Sequence, residues 1–379
     1  MSEAQIVPQP LKIAVCSAGR GGSAIAADLT FMGCLVNLFE LPRFETALEP
    51  IRHRRGIELT GDTQSHKTGF AELNMVTTDP REAIRGVDLI MMPVPAFGHK
   101  AFFDVIVPHL EAGQCILVNT CYWACLRFAP MLKKRGIFDE ITLAEAMILP
   151  YACNVIGPAQ TFIHRTKQQF IALSAFPATK TDRILKLVQT VYPQHQKVPN
   201  VLWTNLGNLN TPIHAPLTIP IAGMLFDRYT DGRQGGAKFY GEATTPGARL
   251  VAAYDVERMA VGKALSVELQ TEEEMMFRLY GYKGRDLADA MRKSEHADMF
   301  TEVLFHHGLL EEDLRYFYVS LAQLGEQLGI PMPVTNSILT VMSTMVGMDY
   351  REGATTLEDL GLAGLNSDQI VEFVTNGVK

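Results

Sequence analysis

The first residues along the chain with a recognisable chemical use are Ser17-Ala18-Gly19-Arg20-Gly21-Gly22, a glycine-rich turn. It is set between an apolar run, KIAVCS (12–17), and a stretch of small and apolar residues, SAIAADLTFMG (23–33). A diphosphate needs backbone N–H groups brought close and the positive end of a helix dipole, and glycine permits that approach at φ values other residues avoid. Gly19 and Gly22 fill the second and third places of G-x-G-x-x-G, with Arg20 and Gly21 between them and Ser17 where the first glycine is usual. Glu40 closes the next apolar run, LVNLFE (35–40). It lies about 20 residues beyond the turn, where a carboxylate accepts both ribose hydroxyls of NAD and repels the 2′-phosphate of NADP. On position alone it also fits a solvated acid at a strand end, and the nearby Arg43 could shelter a phosphate, so NADP stays open beside NAD. Pro93 and Pro95 stiffen the loop MMPVPAFGHK (91–100), which should face the nicotinamide crevice at the carboxyl ends of the strands. Two prolines also simply turn a loop.

To position these residues the chain needs strand, helix and strand in succession, and it supplies them within about 30 residues, the size of a βαβ unit. The alternation continues with VDLIMMPVP (87–95), QCILVN (114–119) and QQFIALSAFP (168–177) as strands. AFGHKAFFDVIVPHL (96–110), WACLRFAPMLKKRG (123–136) and TKTDRILKLVQTVYP (179–193) read as helices between and after them. Residues 54–76 are less regular and predict a small inserted hairpin. Beyond Pro199 strand signals nearly vanish. GARLVAAYDVERMAVGKAL (247–265), TEEEMMFRLYG (271–281) with a Thr271/Glu274 capping box, NSILTVMSTMVGM (336–348) and SDQIVEFVTNG (367–377) all read as helices. Leu314, Phe317, Leu321, Leu324 and Leu328 form an apolar stripe at helical spacing. The expectation is an α/β Rossmann domain with a parallel sheet over residues 1–198, followed by an all-helical substrate and dimerisation domain over 199–379.

A chain of 379 residues is long for one core, and 47% hydrophobic with 20% charged residues is the composition of a globular protein. Met1 to Pro10 lacks the basic and apolar regions of a secretory signal, and no apolar run reaches about 18 residues, so a cytoplasmic protein without membrane contact is expected. The formal charge of -7 provides no basic field for nucleic acid. Cys16, Cys34, Cys115, Cys121, Cys125 and Cys153 are scattered without a C-x-x-C pair and read as free, mostly buried thiols. Cys121 and Cys125 have no partner at zinc-site spacing, so no metal is expected.

Six segments taken in order, AGRGG (18–22), PVPAFGHKAFFDVIVPHLEAGQ (93–114), LPYACNVIGPAQ (149–160), VPNVLWTNLGNLNTPIHAP (198–216), FYGEATTPGARLVAAYDVERMAVGKAL (239–265) and LLEEDLRYFYVSLAQLGEQLGIPMP (309–333), resemble the opine dehydrogenases. These are the octopine, nopaline and carboxyethyl amino-acid dehydrogenases. The resemblance implies a Rossmann domain followed by an all-helical one, with the substrates in the cleft between them. It implies NAD(P)H-dependent reductive condensation of the amine of an amino acid with a 2-oxo acid or other carbonyl. The family pairs an Asn-x-x-x-His segment with a later Glu-Asp, which here fall on Asn210, His214, Glu312 and Asp313. By resemblance His214 is the catalytic acid/base, Asp313 the carboxylate that orients or charges it, and Asn210 and Thr245 lie on the substrate. Imine formation needs a group that both donates and accepts a proton near neutral pH, and histidine does so. Read alone, a histidine flanked by prolines is more often a packing residue, and acids ahead of an apolar stripe commonly complement a helix N-terminus. Asp255 and Arg258, in a resembling block, also suit an i, i+3 surface pair.

One departure bears on the substrate. The family usually has an arginine five residues before the aspartate, suited to gripping a carboxylate. Here Gly308 stands at that place, preceded by His306 and His307. Either a histidine or Arg315 takes over the carboxylate, or a partner lacking that acid group is accepted. Tyr122 and Trp123, in NTCYWACLRF (119–128), either narrow the pocket or pack into the core. Two other readings compete. One is a dehydrogenase of a 2-hydroxy acid or polyol phosphate using Lys263 as its acid/base; the other is an NAD-binding sensor without turnover. Helical second domains of this type often pair between subunits, so a homodimer is expected.

Overall fold

The computed structural model describes residues 10–167, 169–223, 238–281, 284–294, 297–298 and 308–378. Short apolar runs become the strands of an eight-stranded sheet: β1 (Lys12–Cys16), β2 (Leu35–Phe39), β5 (Met75–Thr77), β6 (Leu89–Met92), β7 (Cys115–Val118), β8 (Thr142–Ala146), β11 (Ile171–Phe176) and β12 (His195–Lys197). A second sheet has four: β3 (Gly56–Gly61), β4 (Gly69–Glu72), β9 (Tyr151–Gly157) and β10 (Gln160–Thr166). The large sheet runs β12-β11-β8-β7-β6-β1-β2-β5. From β5 to β8 this is the 3-2-1-4-5-6 order of doubly wound nucleotide folds, reversing between β1 and β6. Its helices are α1 (Arg20–Phe31), α2 (Glu45–Arg54), α3 (Pro80–Ile84), α4 (Ala96–Ile106), α5 (Ala124–Arg135) and α6 (Thr181–Gln189). β6, β7 and β8 are buried along their whole length, as continuous apolar strands covered on both faces should be.

The sheet is not wholly parallel, which corrects the expectation: β11 pairs antiparallel with β8. The chain leaves β8 into the β9–β10 hairpin with no crossover helix between, and so enters β11 from the opposite end. The hairpin expected at residues 54–76 is present as β3–β4, and β10 pairs with β3 to complete the small sheet. Asp28, buried within α1, fixes that sheet in place. Its carboxylate accepts the N–H groups of Gln64 at 2.8 Å and Ser65 at 3.2 Å, and the Tyr151 hydroxyl at 2.6 Å.

The last strand ends at Lys197, and every described element from Val201 onward is helical. The 271/274 capping box forms at the start of the helix Glu272–Tyr280. In the stripe, Leu314, Phe317, Leu321 and Leu324 are fully buried, with Leu328 packed at its edge. Among the described residues no helix is long and apolar enough to cross a membrane. The halves are tied together at the carboxyl ends of β7 and β8. The Trp123 indole N–H donates to Ser320 Oγ at 2.8 Å and stacks on Phe317, and the Thr204 hydroxyl donates to Glu145 at 2.6 Å.

Candidate active site

The glycine turn takes the shape its residues suggest, with a serine doing a glycine's work. Ser17 sits at φ +88°, in the left-handed region, and its Oγ accepts the Gly19 N–H at 3.0 Å. A Cβ on Gly22 would lie 1.8 Å from the Ser17 carbonyl oxygen, so only glycine lets α1 start this close to β1. Arg20 opens α1 exposed to solvent, and no side chain caps the helix N-terminus. A Cβ on Gly21 would lie 3.2 Å from Leu149 and 3.4 Å from Pro93, so the loops after β6 and β8 converge on the turn. Pro95 precedes the first residue of α4.

Glu40 is not a solvated acid. It is buried, with one oxygen accepting the Ala18 N–H and the other the Leu41 N–H, both at 2.8 Å. Burial pushes its carboxyl up, and these N–H groups, Ser17 and Arg43 hold it down. Each oxygen keeps a further lone pair for a hydroxyl. Sequence reasoning missed Asn119. It follows β7 directly, is fully buried, and neither its amide oxygen nor its amide nitrogen has a partner among the described residues. Each such orphan costs about 1–3 kcal/mol, and a buried amide of this kind takes an ordered water or a ligand.

The second cluster centres on Asp313, which is fully buried where the helix Gly308–Asp313 passes into a π-helical turn, Leu314–Tyr318. Its Oδ2 lies 2.9 Å from Nδ1 of His214, and its Oδ1 accepts the Tyr122 hydroxyl at 2.6 Å. Asp313 therefore does not cap a helix N-terminus. His214 opens the short helix His214–Thr218, and its N–H donates to the Asn210 carbonyl at 3.2 Å, which brings Asn210 beside it. No described residue bonds Nε2 of His214. A carboxylate on Nδ1 favours the tautomer with the proton there and leaves Nε2 for proton exchange. Glu312 accepts the Ala96 N–H at 2.6 Å across the domain junction. Burial, with the Asp313 charge adding to it, pushes its carboxyl up to about 8, against the Ala96 N–H and Arg127.

Other expected residues fall differently. Asp255 and Arg258 are no surface pair: both are buried, with Nε to Oδ1 at 2.8 Å. Arg258 also donates to the Gln270 carbonyl at 2.8 Å, and Asp255 accepts the Glu272 N–H at 2.6 Å, so the pair clamps two helices together. Thr245 is exposed and donates to Asp286 at 3.0 Å. It lines a cavity of about 570 Å³ whose walls include neither His214 nor Asp313. Lys263 is exposed near the end of the helix Thr245–Ala264. Arg315 pairs with Glu311 at 3.4 Å and lies beside Met348, away from the carboxylate role considered for it. A Cβ on Gly308 would meet the Phe97 ring at 2.4 Å, so a ring from α4 fills the space next to it. His306 and His307 lie outside the described residues. All six cysteines are free, and all but the partly exposed Cys153 are buried. Among the described residues no group of three or more His, Cys, Asp or Glu side chains is placed to hold a metal ion.

Residues 197–346 match the family model described as NAD/NADP octopine/nopaline dehydrogenase, alpha-helical domain. The chain is 27% identical over 357 residues to an opine dehydrogenase of Arthrobacter sp. (strain 1C), covering 93% of this chain and 96% of that protein. Over nearly its whole length the chain is similar to opine dehydrogenases, and its second half matches the helical domain of that family. Protein ocs of Agrobacterium tumefaciens (strain Ach5) is 23% identical over 373 residues, or 97% and 99% of the two chains. The fold is that of an octopine dehydrogenase solved with NADH and L-arginine, at a TM-score of 0.73 and 16% identity over 97% of this chain and 98% of that one. Asn210, His214, Thr245, Asp255, Arg258 and Asp313 all lie inside the span of the opine dehydrogenase family model.

Proposed function

We propose that this protein is an NAD(P)H-dependent opine dehydrogenase that reductively condenses the amine of an amino acid with a 2-oxo acid. The observation that carries this reading is where the His214–Asp313 pair is anchored. Through Tyr122 and Glu312 it is bonded to the residues that follow β7 and β6. That is the crevice beside the topological reversal, where such folds bind dinucleotides. Residues 1–198 would then hold the cofactor and 199–379 complete the substrate cleft.

The residues present fit a dinucleotide. Gly19 and Gly22, with Ser17, Arg20 and Gly21, form the phosphate cradle at the uncapped N-terminus of α1. Glu40 is placed to receive a ribose hydroxyl, which favours NAD, and Arg43 keeps NADP accessible. Pro93, Pro95 and the orphaned amide of Asn119 wall the inner crevice. Bound there, a reduced nicotinamide supplies hydride.

The protein's own part is proton handling. His214, neutral at Nε2, takes a proton from the amino acid ammonium so that the amine can attack the oxo-acid carbonyl. Attack leaves the oxygen anionic and the nitrogen cationic, and one nitrogen proton passes to that oxygen to give the neutral carbinolamine; the imidazolium then returns its own proton to the hydroxyl, which leaves as water and yields the iminium. Asp313 stabilises the imidazolium between the two transfers. Asn210 is assigned to the substrate side; Thr245, in a cavity that neither His214 nor Asp313 lines, is not.

An NADH-oxidation screen of paired amines and carbonyls, each with and without a carboxylate, tests the reading. Turnover that requires both partners and is lost in His214→Ala supports it. Tight NADH binding with no turnover across the panel would sink it. We also propose a homodimer through the helical half, supported by the helix Pro333–Val346, which has no charged residue and exposes Val341 and Met345. A monomer mass by light scattering at micromolar concentration would contradict that.

A further inference from the structure

Tyr122 is held where a tyrosine must be forced. Its φ is +44° and that of Trp123 is +59°, a left-handed pair that side chains with a Cβ avoid and that persists only where the surroundings over-determine it. Those surroundings are visible. The Trp123 N–H donates to Asn205 Oδ1 at 2.5 Å, its indole N–H donates to Ser320 Oγ at 2.8 Å, and its ring lies 5.7 Å from that of Phe317. The turn so fixed delivers the Tyr122 hydroxyl, fully buried, to Oδ1 of Asp313.

We propose that Tyr122 is a positioning residue for the His214–Asp313 pair: its phenol anchors Oδ1 of Asp313, turns Oδ2 onto the imidazole, and leaves the carboxylate a neutral second partner. For the reaction itself this rests on the reading proposed above. A carboxylate with no solvent access needs partners on both oxygens, and among the described residues Tyr122 and His214 supply them. A cation on Oδ1 would share the negative charge and loosen its hold on the imidazolium. A phenol does not. Burial, with the charges of Asp313 and Glu312 behind it, keeps this one protonated by pushing its pKa well above the usual range.

The other titratable groups facing Asp313 are Glu312 on the same helix, Tyr254 on the helix Thr245–Ala264, and Tyr318 in the π turn. Tyr318 turns its hydroxyl to the Thr211 carbonyl at 2.8 Å. Arg127 of α5 faces Glu312 and lies over the Tyr316 ring.

The test is Tyr122→Phe in the whole chain, with two readouts. In the unliganded protein the His214 imidazole is titrated by NMR. A carboxylate that has lost a donor grips the imidazole proton harder, so the midpoint moves up by about one pH unit. In steady state, kcat falls roughly tenfold with KM for both substrates unchanged, and the pH limb of kcat moves with the NMR midpoint. In an Asp313→Asn background the same change produces no further shift. An unmoved midpoint in folded Tyr122→Phe, or full additivity with Asp313→Asn, overturns the proposal. Should Tyr122→Phe not fold, fluorotyrosine at position 122 strengthens the donor and must move the midpoint down, and a fixed midpoint there overturns it equally. A wild-type chain without turnover would sink the proposed reaction, while the imidazole titration, which needs no substrate, still decides the role of Tyr122.

Discussion

Glu312 and Ala96 lie 216 residues apart in the chain, yet the carboxyl oxygen of one accepts the backbone N–H of the other at 2.6 Å. The residue next to Asp313 thus caps the helix that leaves the crevice loop. One peptide unit of the helical half both closes α4 and presents the carboxylate to His214. Any shift of α4 against the helix Gly308–Asp313 would be felt at the imidazole.

That cap has a pH signature. Glu312 is pushed up to about 8 and Glu145 to about 7, both by burial. In the folded state these groups hold protons that the unfolded chain releases above about 4.5. Stability therefore falls with rising pH from about 4.5 to about 8 through these two acids. His99 and His195, lowered to about 3 and about 4, act the other way and cost stability as pH falls below about 6.5. Where the windows overlap the effects oppose, and from about 6.5 to about 8 the two histidines no longer offset the fall through the acids. Glu312→Gln, which keeps the acceptor for Ala96, removes up to about 2 kcal/mol of that fall. Thermal unfolding at pH 6.5 and 8 measures it, and an unchanged difference in Tm would show that Glu312 is already ionised.

Gly22→Ala drives a methyl carbon to within 1.8 Å of a backbone carbonyl that cannot retreat without moving β1. A loss of about 3 kcal/mol of stability is expected, together with loss of NADH binding. Gly33→Ala is a control of a different kind: no atom lies near its Cβ, but its φ of +90° strains any side chain. It should lower stability and spare NADH affinity, as denaturant titration and fluorescence binding would show.

His214→Ala and Asp313→Asn each lower kcat by roughly 100- to 10,000-fold, with NADH affinity unchanged because neither residue belongs to the phosphate cradle. Combined, they lose little more than His214→Ala alone, as expected of groups that act as a unit. Additive losses, or weakened NADH binding by calorimetry, would place the two residues in separate roles.

The first βαβ unit was legible because periodicity, glycine punctuation and the acid at the end of β2 all agree there. β8 was not: TLAEA carries Glu145 in a fully buried strand, where the bonds that satisfy its carboxyl come from Cys125, Thr204 and Asn205 on distant segments. β9 and β10 are half-exposed and mix polar with apolar residues, so no alternation marks them. Asp255 and Arg258 have the same spacing whether buried or exposed, and only the fold decides. His214 and Asp313 emerged through family resemblance, since 99 residues separate them and nothing local joins them. Tyr122, 191 residues from Asp313, could be suspected as a pocket residue but not as a bond to the carboxylate.

Asn119 offers a prediction whose two halves run in opposite directions. A buried amide with no partner is a cost to the free protein, and an apolar side chain of similar size removes it. Asn119→Leu should leave the unliganded protein as stable as the parent or more so, because the packing volume is kept while two orphaned polar atoms are lost. If the amide faces bound nicotinamide, the same change weakens NADH by about tenfold or more, since a polar group of the ligand is then left unpaired in a closed site. Thermal unfolding of the free protein and a calorimetric Kd for NADH measure the two halves separately. Lower stability with unchanged Kd would mean that the amide serves the strand end alone, and that the inner wall of the crevice is made by other residues.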